Sequence, residues 1–238
     1  IGEIMQEIAN NIKAIQARIT EVLERCGRAR EKVTLVAVTK THSVEAMDFA
    51  LQHGVGDIGE NKVQEAMRKL PMLENRDARF HFIGHLQSNK INQLLSLKPY
   101  LIQSIDSLYL AEKLHKALGR TNRSQDILIQ VNTTAEEQKS GVNFANAEEL
   151  LWKIASFSTL RVRGLMTIGK LHPNPEISRP YFRQLKELFD KTRDELPGAF
   201  DILSMGMSHD WEIALEEGAN MLRIGSAIFG ERYYGEDR

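Results

Sequence analysis

Val33-Thr34-Leu35-Val36-Ala37-Val38-Thr39 is a nearly continuous β-branched run that stops at Lys40. A run with no polar alternation reads as a parallel strand covered on both faces. Outward from it the pattern repeats. Strands are expected at 57–59, 79–83, 101–105, 126–131, 161–165, 200–203 and 221–224. Between them the spacing of apolar residues predicts helices over 44–52, 62–70, 87–95, 108–118, 145–156, 177–195 and 211–216. Eight strands joined by seven helical crossovers mean a parallel sheet, and eight units favour closure into an α/β (β/α)8 barrel.

An extra helix precedes the first strand. Ile4, Ile8, Ile12, Ile15, Ile19 and Leu23 share one face, with Lys13, Arg18 and Glu21 opposite. It is expected to end near Cys26-Gly27, where glycine can take the left-handed position, and to pack against its own barrel. His172-Pro173-Asn174-Pro175 reads as a long loop after strand six. No linker or low-complexity stretch divides the chain, so residues 1–238 are expected to form a single domain.

Composition narrows the function classes. With 31 basic and 32 acidic residues, no global field favours nucleic acid or an anionic membrane. One cysteine, Cys26, excludes an internal disulfide framework and fits a reducing, cytoplasmic compartment. No apolar run approaches the ~20 residues of a membrane helix. The opening Ile1-Gly2-Glu3-Ile4 lacks the plan of a signal peptide and, lacking Met, is expected to be preceded by at least one residue.

In parallel folds the working residues lie at the C-terminal strand ends. These are Lys40, Glu60-Asn61, Gly84-His85, Asp106, Asn132, Met166-Thr167, 204–208 and 223–226. Lys40, at the end of a buried strand, would be partly desolvated, which frees an amine to attack a carbonyl. A lysine that merely snorkels to water is the plainer alternative. The loops Ser204-Met205-Gly206-Met207-Ser208 and Gly225-Ser226-Ala227 supply glycine and serine where barrels often hold phosphate. Ordinary turn and cap chemistry would use the same residues. A phosphate site facing a strand-end lysine is what a phosphorylated aldehyde cofactor needs.

Three tempting motifs are set aside. Gly54-Val55-Gly56-Asp57-Ile58-Gly59 follows a helix and enters a strand, the reverse of a dinucleotide fingerprint. His81 and His85 have metal-ligand spacing, but Phe80-His81-Phe82-Ile83 reads as a strand with no partner ligand evident, so no metal site is expected. Ser208, His209 and Asp210 are adjacent, so their side chains diverge.

Taken together, Leu35-Val36-Ala37-Val38-Thr39-Lys40, Gly59-Glu60-Asn61 with Val63-Gln64-Glu65, and His81-Phe82-Ile83-Gly84-His85-Leu86-Gln87-Ser88-Asn89-Lys90 resemble successive motifs of one family. So do Gly164-Leu165-Met166, Leu203-Ser204-Met205-Gly206-Met207-Ser208 and the stretch from Arg223-Ile224-Gly225-Ser226 to Gly230. The family is the pyridoxal phosphate homeostasis proteins, also called the YggS or PROSC family. The resemblance implies a TIM barrel of the alanine racemase N-terminal type, without that enzyme's β-rich second domain. It implies that Lys40 carries pyridoxal 5′-phosphate (PLP) as a Schiff base. Ser208, Gly225 and Ser226 match the positions that hold the phosphate, Arg223 the arginine facing the pyridine nitrogen, and Asn61 a residue near the ring. Thr39, where many relatives have serine, and Lys62 are departures that touch none of these anchors.

The function implied is vitamin B6 homeostasis, with reversible holding and release of PLP, no catalytic residue and no turnover of its own. An arginine at the pyridine nitrogen gives the ring no proton, which makes the cofactor a poorer electron sink. Tyr100, Tyr109, Tyr181, Tyr233 and Tyr234 all miss the expected strand ends, so a racemase's second base is not found. The expected partners are PLP and, as recipients, apo PLP-dependent enzymes; a monomer is expected, with no nucleic acid and no membrane. The alternative is a PLP-dependent amino-acid racemase or a related fold-type III enzyme, with His85 or His209 as the base. A cofactor-free Schiff-base aldolase would leave the two phosphate-type loops unexplained.

Overall fold

The computed structural model describes residues 2–196 and 198–230. Its centre is a closed barrel of parallel strands: β1 (Thr34–Val38), β2 (Asp57–Glu60), β3 (Arg79–Phe82), β4 (Leu101–Ile105), β5 (Gln125–Asn132), β6 (Leu160–Met166), β7 (Ile202–Ser204) and β8 (Met221–Ile224). Each pairs in parallel with its neighbour in the chain, β8 pairs with β1, and β4–β5 completes the ring. The (β/α)8 expectation is therefore met. A two-residue strand, Val142–Asn143, adds to the end of β5 and was not expected.

The helices are α1 (Gly2–Arg25), α2 (Val44–Gln52), α3 (Val63–Lys69), α4 (Ile91–Ser96), α5 (Leu108–Gly119), α6 (Phe144–Ala155), α7 (Arg179–Arg193), α8 (Trp211–Glu216) and α9 (Ser226–Phe229). Ser43 caps α2 by accepting from the Ala46 amide, and Ser107 caps α5 by accepting from Leu110. The helices expected at 87–95 and 177–195 each begin as a 3-10 turn, Ser88–Lys90 and Pro175–Ser178. The short α9 has too few residues to show a period, and the sequence pattern missed it.

α1 buries Ile8, Ile12, Ile15, Ile19, Val22 and Leu23, and packs on α2, α8 and α9 of its own barrel. Ile4 departs from the expected stripe: it is 59% exposed, lying in the first turn beyond the reach of the barrel. Gly27 takes φ +71 where the helix ends.

Strand alternation sorts side chains into two compartments. Leu35, Ala37, Leu222 and Ile224 point outward to the helices and join the main apolar core. Val36, Leu101, Leu128, Met166 and Met221 fill the barrel interior. Above and among them the interior is polar, with His81, Gln103, Ser204 and Arg223 all buried. That polar filling points toward the mouth formed by the C-terminal strand ends.

Candidate functional site at the barrel mouth

A cavity of about 510 Å³ opens at this mouth. Lys40, Asn61, Ser208, Arg223, Gly225 and Ser226, the six residues singled out from the sequence, all line it. They come from the ends of β1, β2, β7 and β8, and only barrel closure, which sets β8 beside β1, unites them.

Lys40 follows β1 directly, and its two neighbours are anchored. Thr39 donates from Oγ1 to Glu60 Oε1 (2.6 Å), and its carbonyl accepts from Lys69 Nζ (2.8 Å). Thr41, at φ +69, donates its amide to Glu65 Oε1 (2.6 Å). Lys69 joins the two carboxylates, at 2.6 Å from Glu60 and 2.9 Å from Glu65. Burial pushes the Glu60 carboxyl above its ordinary range, against the bonds from Lys69 and Thr39. Glu60, expected among the mouth residues, instead points outward beneath α3 and does not line the cavity.

Opposite stands Arg223, 3% exposed. It donates from Nη1 to Ser204 Oγ (2.6 Å) and from Nη2 to the Thr167 carbonyl (2.8 Å). Burial lowers its pKa to about 10, opposed by the charge of Asp210, so it remains a cation at neutral pH. Both of these acceptors are neutral.

The β7 and β8 loops meet at one oxygen. Ser208 Oγ accepts from the amides of Gly225 (3.2 Å) and Ala227 (3.1 Å) at the start of α9. Gly206, at φ +100, lets the β7 loop pass close against α8, since a Cβ there would stand 2.7 Å from Ala214 Cβ. Asn61 contributes a buried Oδ1 with no hydrogen-bond partner.

Sequence reasoning missed Lys139 and Lys170, which also line the cavity. Lys139 donates to the Gly169 carbonyl (3.1 Å) and pairs with Glu136 (2.9 Å). Both lie in loops without a periodic pattern. With Lys40 and Arg223 they make the lining strongly cationic, against the one carboxylate, Asp210, among the described residues of the lining. His42 lines it too, stacked 4.5 Å from the Phe229 ring.

The rejected motifs behave as their context requires. Residues 54–59 run from α2 into β2. Ser208, His209 and Asp210 turn to separate partners: the α9 amides, the His172 carbonyl (2.7 Å) and the Met207 amide (2.8 Å). His81 does have a carboxylate neighbour that the sequence did not reveal, Asp57, at 2.7 Å. Tyr100, Tyr109 and Tyr181 do not line the cavity; Tyr233 and Tyr234 lie outside the described residues.

Residues 10–233 match the family described as alanine racemase, N-terminal domain. A pyridoxal phosphate homeostasis protein of Aquifex aeolicus is 42% identical over 94% of this chain and 97% of its own length. One from Escherichia coli K12 is 37% identical over 98% of this chain and all of its own. The chain belongs to the pyridoxal phosphate homeostasis family. Its barrel also superposes on a solved family structure, PipY of Synechococcus elongatus described with PLP bound, at a TM-score of 0.81. That relative is 31% identical, with 94% of this chain and 100% of that one covered. The family assignment agrees with the motifs that run from Lys40 to Gly230 in this sequence.

Proposed function

We propose that the chain binds PLP in the mouth cavity and serves cofactor homeostasis by holding and releasing it, without turnover of its own. The observation that carries this reading is the convergence of Lys40, Arg223 and the Ser208–Gly225–Ala227 cluster on one cavity. The donor set fits the group. An amine sits at a strand end, two amides already draw an oxygen to one point, and cationic side chains surround it. When bound, PLP supplies an aldehyde carbon that a lysine amine can hold reversibly.

The residues have distinct tasks. Lys40 is the covalent anchor, with Thr39 and Thr41 clamped on either side of it. Ser208, Gly225 and Ser226 would hold the phosphate, and Asn61 would lie near the ring. Arg223 would face the pyridine nitrogen as a donor that stays protonated at neutral pH and so would deliver no proton to it. Electron withdrawal through the ring is weak in that pairing, which disfavours carbanion chemistry on amino acids. Of the two bases a racemase reading would use, His209 already engages the His172 carbonyl through Nε2, and His85 does not line the cavity.

In this reading residues 1–238 act as one cofactor-binding unit, a cytoplasmic monomer whose recipients are apo PLP-dependent enzymes. Among the described residues no helix is long and apolar enough to cross a membrane.

The test is visible absorbance of the purified chain and its Lys40→Ala variant, with and without borohydride, followed by a panel of L- and D-amino acids. A band in the parent that borohydride traps, absent from the variant, with every amino acid left unchanged, is the expected result. Racemisation or consumption of any of them would transfer the protein to the enzyme class. A parent that takes up no added PLP would overturn the reading.

A further inference from the structure

Five buried polar side chains cross the barrel interior in an unbroken line. Arg223 Nη1 lies 2.6 Å from Ser204 Oγ, which lies 2.6 Å from Gln103 Oε1. Gln103 Nε2 lies 3.0 Å from His81 Nδ1, and His81 Nε2 lies 2.7 Å from Asp57 Oδ1. The line starts at the mouth on β8, passes through β7, β4 and β3, and ends at the first residue of β2 on the opposite face. None of the five is more than 3% exposed.

The chemistry of the two ends sets one direction for every bond. Arg223 can only donate, so Ser204 Oγ accepts from it and spends its own proton on Gln103 Oε1. The Gln103 amide then presents its N–H to His81 Nδ1, which must accept. The remaining imidazole proton sits on Nε2 and goes to Asp57, an ionised carboxylate that can only accept. Four donors thus point the same way, from the cation at the mouth to the anion at the base. Bonds aligned head to tail polarise one another.

Resting on the PLP-binding reading above, we infer that Ser204, Gln103, His81 and Asp57 are positioning residues that aim Arg223 into the mouth cavity. The reason lies in what Arg223 lacks. Among the described residues its hydrogen-bond partners are a hydroxyl and a carbonyl, so no carboxylate fork fixes the guanidinium plane. Ser204 fixes it only if the hydroxyl itself is fixed, and a serine rotor is fixed by the acceptor of its proton. Gln103 is that acceptor, and its amide is held the right way round by His81. Arg79 completes the base end, donating from Nε (2.8 Å) and Nη2 (2.5 Å) to Asp57, with Tyr100 against the His81 ring at 5.4 Å. A ligand that meets Arg223 would therefore be felt at His81, which it does not touch.

The test uses the full chain carrying 15N-labelled histidine. Long-range 1H–15N spectra report which His81 ring nitrogen bears the proton, with His81→Gln identifying the signals. The expected result is the Nε2-protonated ring in the ligand-free protein, and a shift of its 15N signals when PLP is added. In Ser204→Ala that response disappears and PLP binds about tenfold more weakly, the effect of one charge-assisted hydrogen bond; Ser204→Thr, which keeps the hydroxyl, restores both. An Nδ1-protonated ring would overturn the inference, as would a His81 signal that ignores PLP uptake proved by the borohydride-trapped band. If no band forms in the parent, the PLP reading itself has failed, while the tautomer still decides whether the line runs as described. A network serving only the fold would leave His81 indifferent to the cofactor.

Discussion

Lys69 Nζ lies 2.6 Å from Glu60 Oε1, inside a structure where neither side chain is more than 4% exposed. The same ammonium holds the Thr39 carbonyl, one residue before Lys40. Removing one partner of a buried ion pair strands the other. Lys69→Met is expected to cost about 3–5 kcal/mol of stability, and Glu60→Gln combined with Lys69→Met to recover most of it. Urea denaturation of the single and double variants measures this. Equal losses in both would show that the pair does not act as a pair.

Acid stability is expected to depend on Asp57. Burial raises its carboxyl pKa, but the hydrogen bonds and charges of Arg79 and His81 outweigh burial and hold it below the ordinary value. An acid with a depressed folded pKa contributes stability in full above its unfolded value of about 3.9, and loses it as pH falls through the folded value. Asp57→Asn should therefore flatten the fall in denaturation midpoint below about pH 4. Parallel profiles for parent and variant would assign acid unfolding to other groups.

Gly84 is expected to tolerate no side chain. A Cβ built there would stand 2.0 Å from the carbonyl oxygen of Asn61, so the backbone beside the cavity would have to move. Gly84→Ala should destabilise by about 1–3 kcal/mol and weaken PLP uptake together. Unchanged uptake in a variant that has lost stability would place Asn61 outside the binding geometry.

Ser208 serves the ligand-free fold as well as the proposed phosphate site. Its hydroxyl oxygen satisfies two amides at the head of α9, and Ser208→Ala leaves them without it. A loss of about 1 kcal/mol is expected in thermal or chemical melts without PLP, the usual cost of a lost cap. Affinity for PLP should fall alongside, by equilibrium dialysis. A variant that matches the parent in both would remove Ser208 from the site.

The degree to which the site could be read in advance varied with the kind of residue. Lys40, Arg223 and Ser208 stand at strand ends, and a strand end is visible where an apolar run stops, so their place at the mouth followed from pattern. Lys139 and Lys170 lie in aperiodic loops, and nothing local distinguishes them from solvated lysines. Glu60 was placed at the mouth because it ends a strand; its parity on β2 turns it outward to Lys69 instead. The carboxylate beside His81 was missed because Asp57 begins a different strand, and only the parallel register of β2 and β3 brings them together.

What the sequence determined alone was the order and nature of the parts. The β-branched runs, the 3.6-residue periods between them and the isoleucine face of α1 are local signals, legible within a few turns or one strand. The tertiary structure decided what those parts enclose. Pairing of β4 with β5 closes the sheet, and closure sets Gln103 against Ser204, 101 residues away in the chain, across the barrel interior. Contacts of that kind depend on register and on which face each strand turns inward, and a single residue's slip would reverse every one of them.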